Sequence, residues 1–81
     1  MPTINIKATG ENIAKMRKNK GITVKALQNA LGFSTPQAIY KWQQGVCMPT
    51  IDNLVILAAI FDCRIDDIII TNIPDGNMKI A

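Results

Sequence analysis

Apolar residues recur every three or four positions along most of the chain, in segments bounded by threonine, proline and glycine. In the first such segment, Ile13 and Met16 lie three residues apart, cations gather toward Lys20, and Gly21 follows. This spacing predicts an amphipathic α-helix rather than a strand. We expect the helix to begin with Thr9 as its N-cap and to end at Gly21.

A second, shorter helix is predicted between Thr23 and Gly32. Threonine is a favoured N-cap, and glycine after the last apolar position is a favoured terminator. The apolar side of this helix is formed by Val24, Leu27 and Leu31. The helix is therefore barely two turns long.

A third helix is predicted over about residues 36–44, after a connection of only four residues. Ser34 or Thr35 is expected to cap it, and Pro36 suits its first turn because the missing N–H costs nothing there. Its apolar side is formed by Ile39 and Trp42. So tight a connection sets the third helix across the second, as in a helix-turn-helix.

The rest of the chain carries two more helices and two weak strand signals. Thr50 is expected to cap a fourth helix with a broad apolar face, formed by Ile51, Leu54, Val55, Leu57, Ala58 and Phe61. A short fifth helix is predicted near residues 65–70. Residues 4–6 and 78–80 alternate as strands do, so the two ends either pair as a small sheet or remain as frayed tails.

The fold class is therefore all-α, with five helices around one core. A chain of 81 residues buries roughly 60% of its unfolded surface and cannot support two cores. We expect an N-terminal arm over residues 1–8, a helix-turn-helix domain over residues 9–70 and a C-terminal tail over residues 71–81. The residues assigned to the core are Leu27, Phe33, Trp42 and Leu57.

Composition excludes several classes of protein. No apolar run approaches the ~20 residues that a membrane span needs, and the first residues lack the pattern of an export signal, so we expect a cytoplasmic protein. The chain has no histidine, and Cys47 and Cys63 form no CxxC pair. These two thiols are interpreted as reduced and structural, and no metal, cofactor, small-molecule ligand or catalytic function is expected.

Charge is unevenly distributed along the chain. Residues 1–45 hold seven of the nine cations and one acid, a net charge of 7 − 1 = +6, whereas residues 46–81 hold two cations and five acids, a net charge of 2 − 5 = −3. No acid occurs between Asn12 and Ile51. A polyanion such as DNA is therefore expected to meet the first half of the chain. The alternative is a solvated helix face.

The third helix carries the chemistry for DNA recognition. If Ile39 and Trp42 anchor it inward, five residues turn away from that anchor and are candidates for the major groove: Gln37, Ala38, Tyr40, Lys41 and Gln44. Glutamine can bond adenine, lysine can reach guanine or a phosphate, and alanine or a tyrosine ring can touch a thymine methyl group. The free N–H groups at helix starts mark Thr23 and Thr35, with Lys25, as candidates for phosphate contacts. For any one of these residues the alternative is an ordinary solvated side chain.

The ordered series of these residues resembles the Cro/C1-type (Xre-like) helix-turn-helix family over about residues 9–70. The matching segments are residues 13–23, Leu27, residues 31–34, residues 39–45 and residues 49–54. The resemblance implies a five-helix fold of phage-repressor type with the third helix in the major groove. It also implies a homodimer on a palindromic operator, and we expect the isoleucines of residues 68–70 to meet across its two-fold axis.

The chain departs from the family pattern at several positions. Val24 stands where the family usually has glutamine, Gln28 where it commonly has alanine, and the turn before Ile39 has one residue more than usual. The family often pairs a glutamate with the arginine that matches Arg17, whereas this chain has Gln43. We therefore predict a hydrogen bond between Arg17 and Gln43 in place of an ion pair.

Two functions are compatible with these sequence features. The first is sequence-specific binding of double-stranded DNA by a repressor-like transcriptional regulator. The alternative is a protein-interaction module, such as the antitoxin subunit of a toxin–antitoxin pair, and the apolar run of residues 68–70 favours it.

Overall fold

A computed structural model describes residues 3–72. Within these residues the chain forms five helices and a two-stranded antiparallel ribbon, which confirms the predicted fold class. The elements are β1 (Thr3–Ile4), α1 (Ile6–Asn19), α2 (Val24–Leu31), α3 (Gln37–Gln43), α4 (Ile51–Phe61), α5 (Ile65–Ile68) and β2 (Thr71–Asn72).

Helix α1 begins earlier than the sequence predicted. Asn5 is its N-cap, and the Asn5 side chain accepts a 2.9 Å hydrogen bond from the backbone N–H of Ala8. Thr9, the expected cap, lies inside the helix and is fully buried. Its hydroxyl oxygen accepts a 2.9 Å hydrogen bond from the N–H of Ile70 instead. The expected boundary between an arm over residues 1–8 and the domain therefore falls within the first turns of α1.

The ends of the described chain pair as a short ribbon. Thr3 lies opposite Asn72 and Ile4 opposite Thr71, and the N–H of Asn5 donates to the carbonyl of Ile70 at 2.8 Å. Pairing of the two ends was one of the two alternatives from the sequence, with residues 4–6 as its first strand. Of that segment, Ile4 lies in β1, whereas Asn5 caps α1 and Ile6 begins it. The partner, residues 71–72, was not expected, because it carries no alternating pattern. The second predicted strand, over residues 78–80, lies outside the described residues.

One core joins all five helices. Its fully or almost fully buried apolar side chains are Ile13, Leu27, Ile39, Trp42, Leu54, Leu57, Phe61 and Ile68. Burial of such a side chain contributes about 1.5–3 kcal/mol. Three of the four residues predicted to be in the core are buried, and Phe33 is half-buried with its ring edge-to-face against Trp42 at a centroid distance of 5.7 Å.

Helix α1 packs closely against α3 through two glycines. A Cβ atom at Gly10 would overlap the carbonyl oxygen of Trp42. At Gly45, two residues after the end of α3, φ is 75° and a Cβ atom would lie 2.8 Å from the Cα atom of Lys7. The absence of a side chain at both positions lets the two helices approach, and this approach fixes the orientation of α3.

Helix α5 ends at Ile68, before the position that the sequence predicted. The side-chain amide of Asn12 donates to the carbonyls of Asp67 and Ile68 at 2.8 and 3.0 Å, and the backbone at Ile69 is extended. Ile68 is fully buried within its own protomer. Ile68 is therefore not available for a contact across a two-fold axis, whereas Ile69 is half-buried and Ile70 is 37% exposed.

Membrane-spanning and metal-binding features are both lacking within residues 3–72. No helix in this range is both long and apolar enough to cross a membrane. The same residues contain no group of three or more metal-ligating side chains close enough to hold an ion.

Candidate nucleic-acid interface

The turn between α2 and α3 is held by the side chain of Gln28. Gly32 ends α2 in the left-handed conformation, with φ at 74°, and the N–H of Phe33 donates to the carbonyl of Gln28 at 3.0 Å. The side-chain amide of Gln28, only 6% exposed, donates in return to the carbonyl of Phe33 at 3.2 Å. Gln28 is a departure from the family pattern, but its role in bracing the longer turn was not predicted from the sequence.

The core anchors α3 as predicted. Ile39 and Trp42 are 0% and 3% exposed. The opposite side of α3 presents the exposed residues Gln37, Tyr40, Lys41 and Gln44. Their spacing of three, four and seven residues from the first places them on one face of the helix. This face contains no carboxylate.

Ala38 lies apart from that face. It is half-buried and packs against the core cluster. A position one residue after Gln37 is turned by about 100° around the helix axis, so Ala38 lies at the edge of the outward surface rather than at its centre. Among the candidates for the groove it has the least exposed side chain.

The start of α3 differs from the prediction. Pro36 occupies the N-cap position and the first helical residue is Gln37, so neither Ser34 nor Thr35 caps the helix. The longer turn places Pro36 directly before the helix, and its carbonyl accepts from the N–H of Tyr40 at 3.2 Å. Thr35 is exposed beside this uncapped helix start.

The start of α2 agrees with the prediction. The hydroxyl oxygen of Thr23 accepts a 3.0 Å hydrogen bond from the N–H of Ala26, which makes Thr23 the N-cap. Thr23 and Lys25 are both exposed. The first N–H groups of a helix have no partner within it and carry the positive end of its dipole. Lys25 therefore lies at a helix start whose free N–H groups favour an anion.

The predicted hydrogen bond between Arg17 and Gln43 is present. Nε of Arg17 donates to Oε1 of Gln43 at 3.1 Å, and a terminal nitrogen of the same guanidinium donates to the carbonyl of Ile22 at 2.8 Å. Arg17 thus connects α1 to the end of α3 and to the loop before α2. Both elements that carry the candidate residues are positioned by one side chain.

Within the described residues, no cation of the first half of the chain forms a salt bridge. Among residues 3–72, the one salt bridge joins Arg64 and Asp66 at 3.8 Å, and both side chains are exposed. Glu11 is the one acid before Asp52 in the sequence. The surface around α2 and α3 therefore keeps its positive charge.

Five helices within the described residues, with an outward-facing α3 joined to α2 by a short turn, define a helix-turn-helix protein. The helix-turn-helix family model matches residues 13–68, more than half of the chain. The chain belongs to this Cro/C1-type helix-turn-helix family of DNA-binding transcription regulators.

Two solved structures share the fold. The restriction-modification controller protein C.AhdI from Aeromonas hydrophila is 17% identical with a TM-score of 0.69, and the alignment covers 78% of this chain and 94% of that protein. The clp gene regulator ClgR from C. glutamicum is 18% identical with a TM-score of 0.68, covering 82% of this chain and 84% of that one. No curated protein matches the sequence.

Proposed function

We propose that this chain binds specific double-stranded DNA sequences with α3 in the major groove and acts as a transcriptional repressor in the cytoplasm. The observation that carries the proposal is the single exposed, carboxylate-free face of α3, which the core anchors on its opposite side. An α-helix with its side chains is about 10–12 Å wide and fits the major groove, which is about 12 Å wide. The polar side chains on that face are the types that distinguish base edges.

Each groove residue has a chemically defined role in this proposal. Gln37 and Gln44 form bidentate hydrogen bonds with adenine, and Lys41 reaches guanine O6 and N7 or a phosphate. The ring of Tyr40 and the methyl group of Ala38 contact thymine methyl groups. Because Ala38 is half-buried, its contact is confined to one edge of the helix.

The phosphate contacts come from the two helix starts. Thr23 and Lys25 bind a phosphate at the start of α2, where free N–H groups and a cation coincide. Thr35 lies beside the uncapped start of α3 and donates its hydroxyl to a second phosphate. Such contacts fix the register of the protein on the duplex but do not read sequence.

We further propose that the protein binds as a homodimer. Two copies related by a two-fold axis would place their α3 helices about 34 Å apart, which matches successive major grooves. Three apolar side chains exposed on α4 support a protein contact: Ile51 at 70%, Val55 at 54% and Ile56 at 36%. In this proposal the exposed side chains of α4 form the dimer contact that the sequence predicted for the isoleucines of residues 68–70.

Selection of duplexes from a random pool, followed by titration at two salt concentrations, tests the proposal. The expected result is a two-fold symmetric site whose affinity falls steeply with salt as lysines and arginines release counterions. Lys41→Ala should weaken binding, whereas Arg64→Ala, which removes an exposed cation at the start of α5, should not. If no duplex is enriched, the proposal fails and the antitoxin-like protein-interaction function is favoured. Sedimentation that shows only monomer would remove the homodimer.

A further inference from the structure

A surface groove lies where α1 meets the end of α3. Its volume is about 400 Å³ and it opens to solvent. It is lined by Glu11, Ala14, Lys15, Lys18, Asn19 and Gln43. None of these residues is among the base or phosphate contacts named above, and Gln43 entered there only as the partner of Arg17.

The amide of Gln43 is oriented by Arg17. A guanidinium group can only donate, so the Gln43 atom that meets Nε of Arg17 at 3.1 Å must be the oxygen. The amide nitrogen of Gln43, with its two N–H groups, is therefore the polar atom left for the groove. A glutamine fixed in this way presents a donor.

Two lysines line the same groove as the amide of Gln43 and give it positive charge. Lys15 and Lys18 lie three residues apart on one face of α1, and both are exposed. Within residues 3–72 neither forms a salt bridge, not even with Glu11, the one carboxylate that lines the groove. The formal charge of the lining residues is therefore 2 − 1 = +1.

The position of the groove suits the wall of the DNA major groove. Gln43 follows Tyr40 by three residues, so the groove adjoins the Tyr40 edge of the outward face of α3. A helix about 10–12 Å wide nearly fills a major groove about 12 Å wide, which brings its flanks close to the two phosphate strands. Gln43 on this flank, with Lys15 and Lys18 of α1 lining the same groove, is then in a position to meet phosphate oxygens.

We propose that the groove formed by Lys15, Lys18 and Gln43 binds a DNA backbone phosphate outside the bases read by α3. The proposal rests on the function proposed above and extends its footprint along the duplex. Glu11 opposes the contact by repelling the phosphate. The shared chemistry is a phosphate oxygen, which could also come from a free polyphosphate, and the experiment separates these two sources.

The experiment measures binding of the selected duplex at several salt concentrations, together with ethylation interference at each phosphate. The double variant Lys15→Ala/Lys18→Ala should make the slope of log affinity against log salt shallower by about 1 and abolish interference at one flanking phosphate. The matched variant Lys15→Arg/Lys18→Arg keeps both charges and should retain both properties. Glu11→Gln should tighten binding several-fold, because it removes the opposing charge.

Four outcomes are decisive. If the wild type binds the duplex and the alanine double variant keeps its slope and interference pattern, the groove proposal is overturned while the proposed function stands. If the wild type selects no duplex, both fall. Pyrophosphate titrated by NMR is expected to leave the amide signals of residues 15 and 18 unchanged at millimolar concentration. Saturable shifts there, with the DNA pattern unaffected by the alanines, would assign the groove to a free phosphate and overturn the DNA contact.

Discussion

Arg17 of α1 and Gln43 of α3 share a hydrogen bond of 3.1 Å between Nε and Oε1. The pair is partly buried and links two segments that are 26 residues apart. The same guanidinium also donates to the carbonyl of Ile22. The end of α3 and the loop before α2 are therefore both held by the guanidinium of Arg17. Arg17 therefore helps to set where the starts of α2 and α3 lie relative to the outward face of α3.

Gln43→Glu should stabilise the protein. A carboxylate at this position would accept from Arg17 with a full opposite charge, and a partly buried pair of this kind gains about 0.5–1 kcal/mol over the neutral acceptor. The midpoint of urea unfolding at neutral pH should rise accordingly. Gln44→Glu adds the same charge at the neighbouring exposed position and should give no such rise. A midpoint for Gln43→Glu at or below that of the wild type would contradict the prediction.

Gln28→Ala should destabilise the protein and weaken DNA binding. The substitution removes the donor to the carbonyl of Phe33, and an acceptor left without its partner costs about 1–3 kcal/mol. Alanine has a higher helix propensity than glutamine. A measured loss of stability would therefore show that the hydrogen bond in the turn contributes more than helix propensity does. Thermal unfolding and duplex affinity, measured where the variant is still folded, test both effects. Asn29→Ala, at the exposed next position, is the control and should change neither beyond about 0.5 kcal/mol.

Local signals explain which parts of the fold could be predicted from the sequence. Thr23 and Thr50 could be identified as caps from residue type and position, because the N–H groups that their hydroxyls accept from lie only three residues away. Thr9 has the same residue type, but the partner of its hydroxyl is Ile70, 61 residues distant. A residue's type and its immediate neighbours do not contain that information. The partner of β1 was missed for the same reason.

The residues of the candidate site likewise fall into those that the local sequence predicts and those that it does not. The exposure of Gln37, Tyr40 and Lys41 followed from the inward positions of Ile39 and Trp42, because one helix period fixes both faces. A groove between two helices depends on how they pack. Its lining residues, from α1 and from the end of α3, therefore had no signal in the sequence pattern.

Gly10→Ala should destabilise the protein. Alanine is favoured over glycine inside a helix by about 1 kcal/mol, but a Cβ atom here would overlap the backbone oxygen of Trp42, which cannot rotate away. Overpacking of this kind costs about 1–3 kcal/mol or more, so we expect a net loss in the free energy of unfolding. Glu11→Ala, at the exposed next position of α1, should stay within about 0.5 kcal/mol of the wild type. A Gly10→Ala protein as stable as the wild type would show that α1 and α3 are not in close contact.

Cys63 should react with iodoacetamide more slowly than Cys47. Burial raises the pKa of the Cys63 thiol, the negative charges of Asp67 and Asp62 raise it further, and Lys20 opposes them. A raised pKa leaves less thiolate at a given pH, and the thiolate is the nucleophile, whereas Cys47 is exposed. Mass spectrometry of the labelled peptides at about pH 7.5, below the ordinary thiol pKa, should therefore show Cys47 modified first, with the difference lost in urea.

Asp62→Asn isolates the electrostatic part of this effect. Asp62 has a left-handed backbone with φ at 54°, a conformation that asparagine also tolerates, so the substitution removes the charge and keeps the end of α4. Labelling of Cys63 should become faster while that of Cys47 stays the same. Asp52→Asn removes an equal charge at the other end of α4 and should leave both rates unchanged. Equal labelling of the two cysteines in the folded wild type would show that neither burial nor the neighbouring carboxylates protect Cys63.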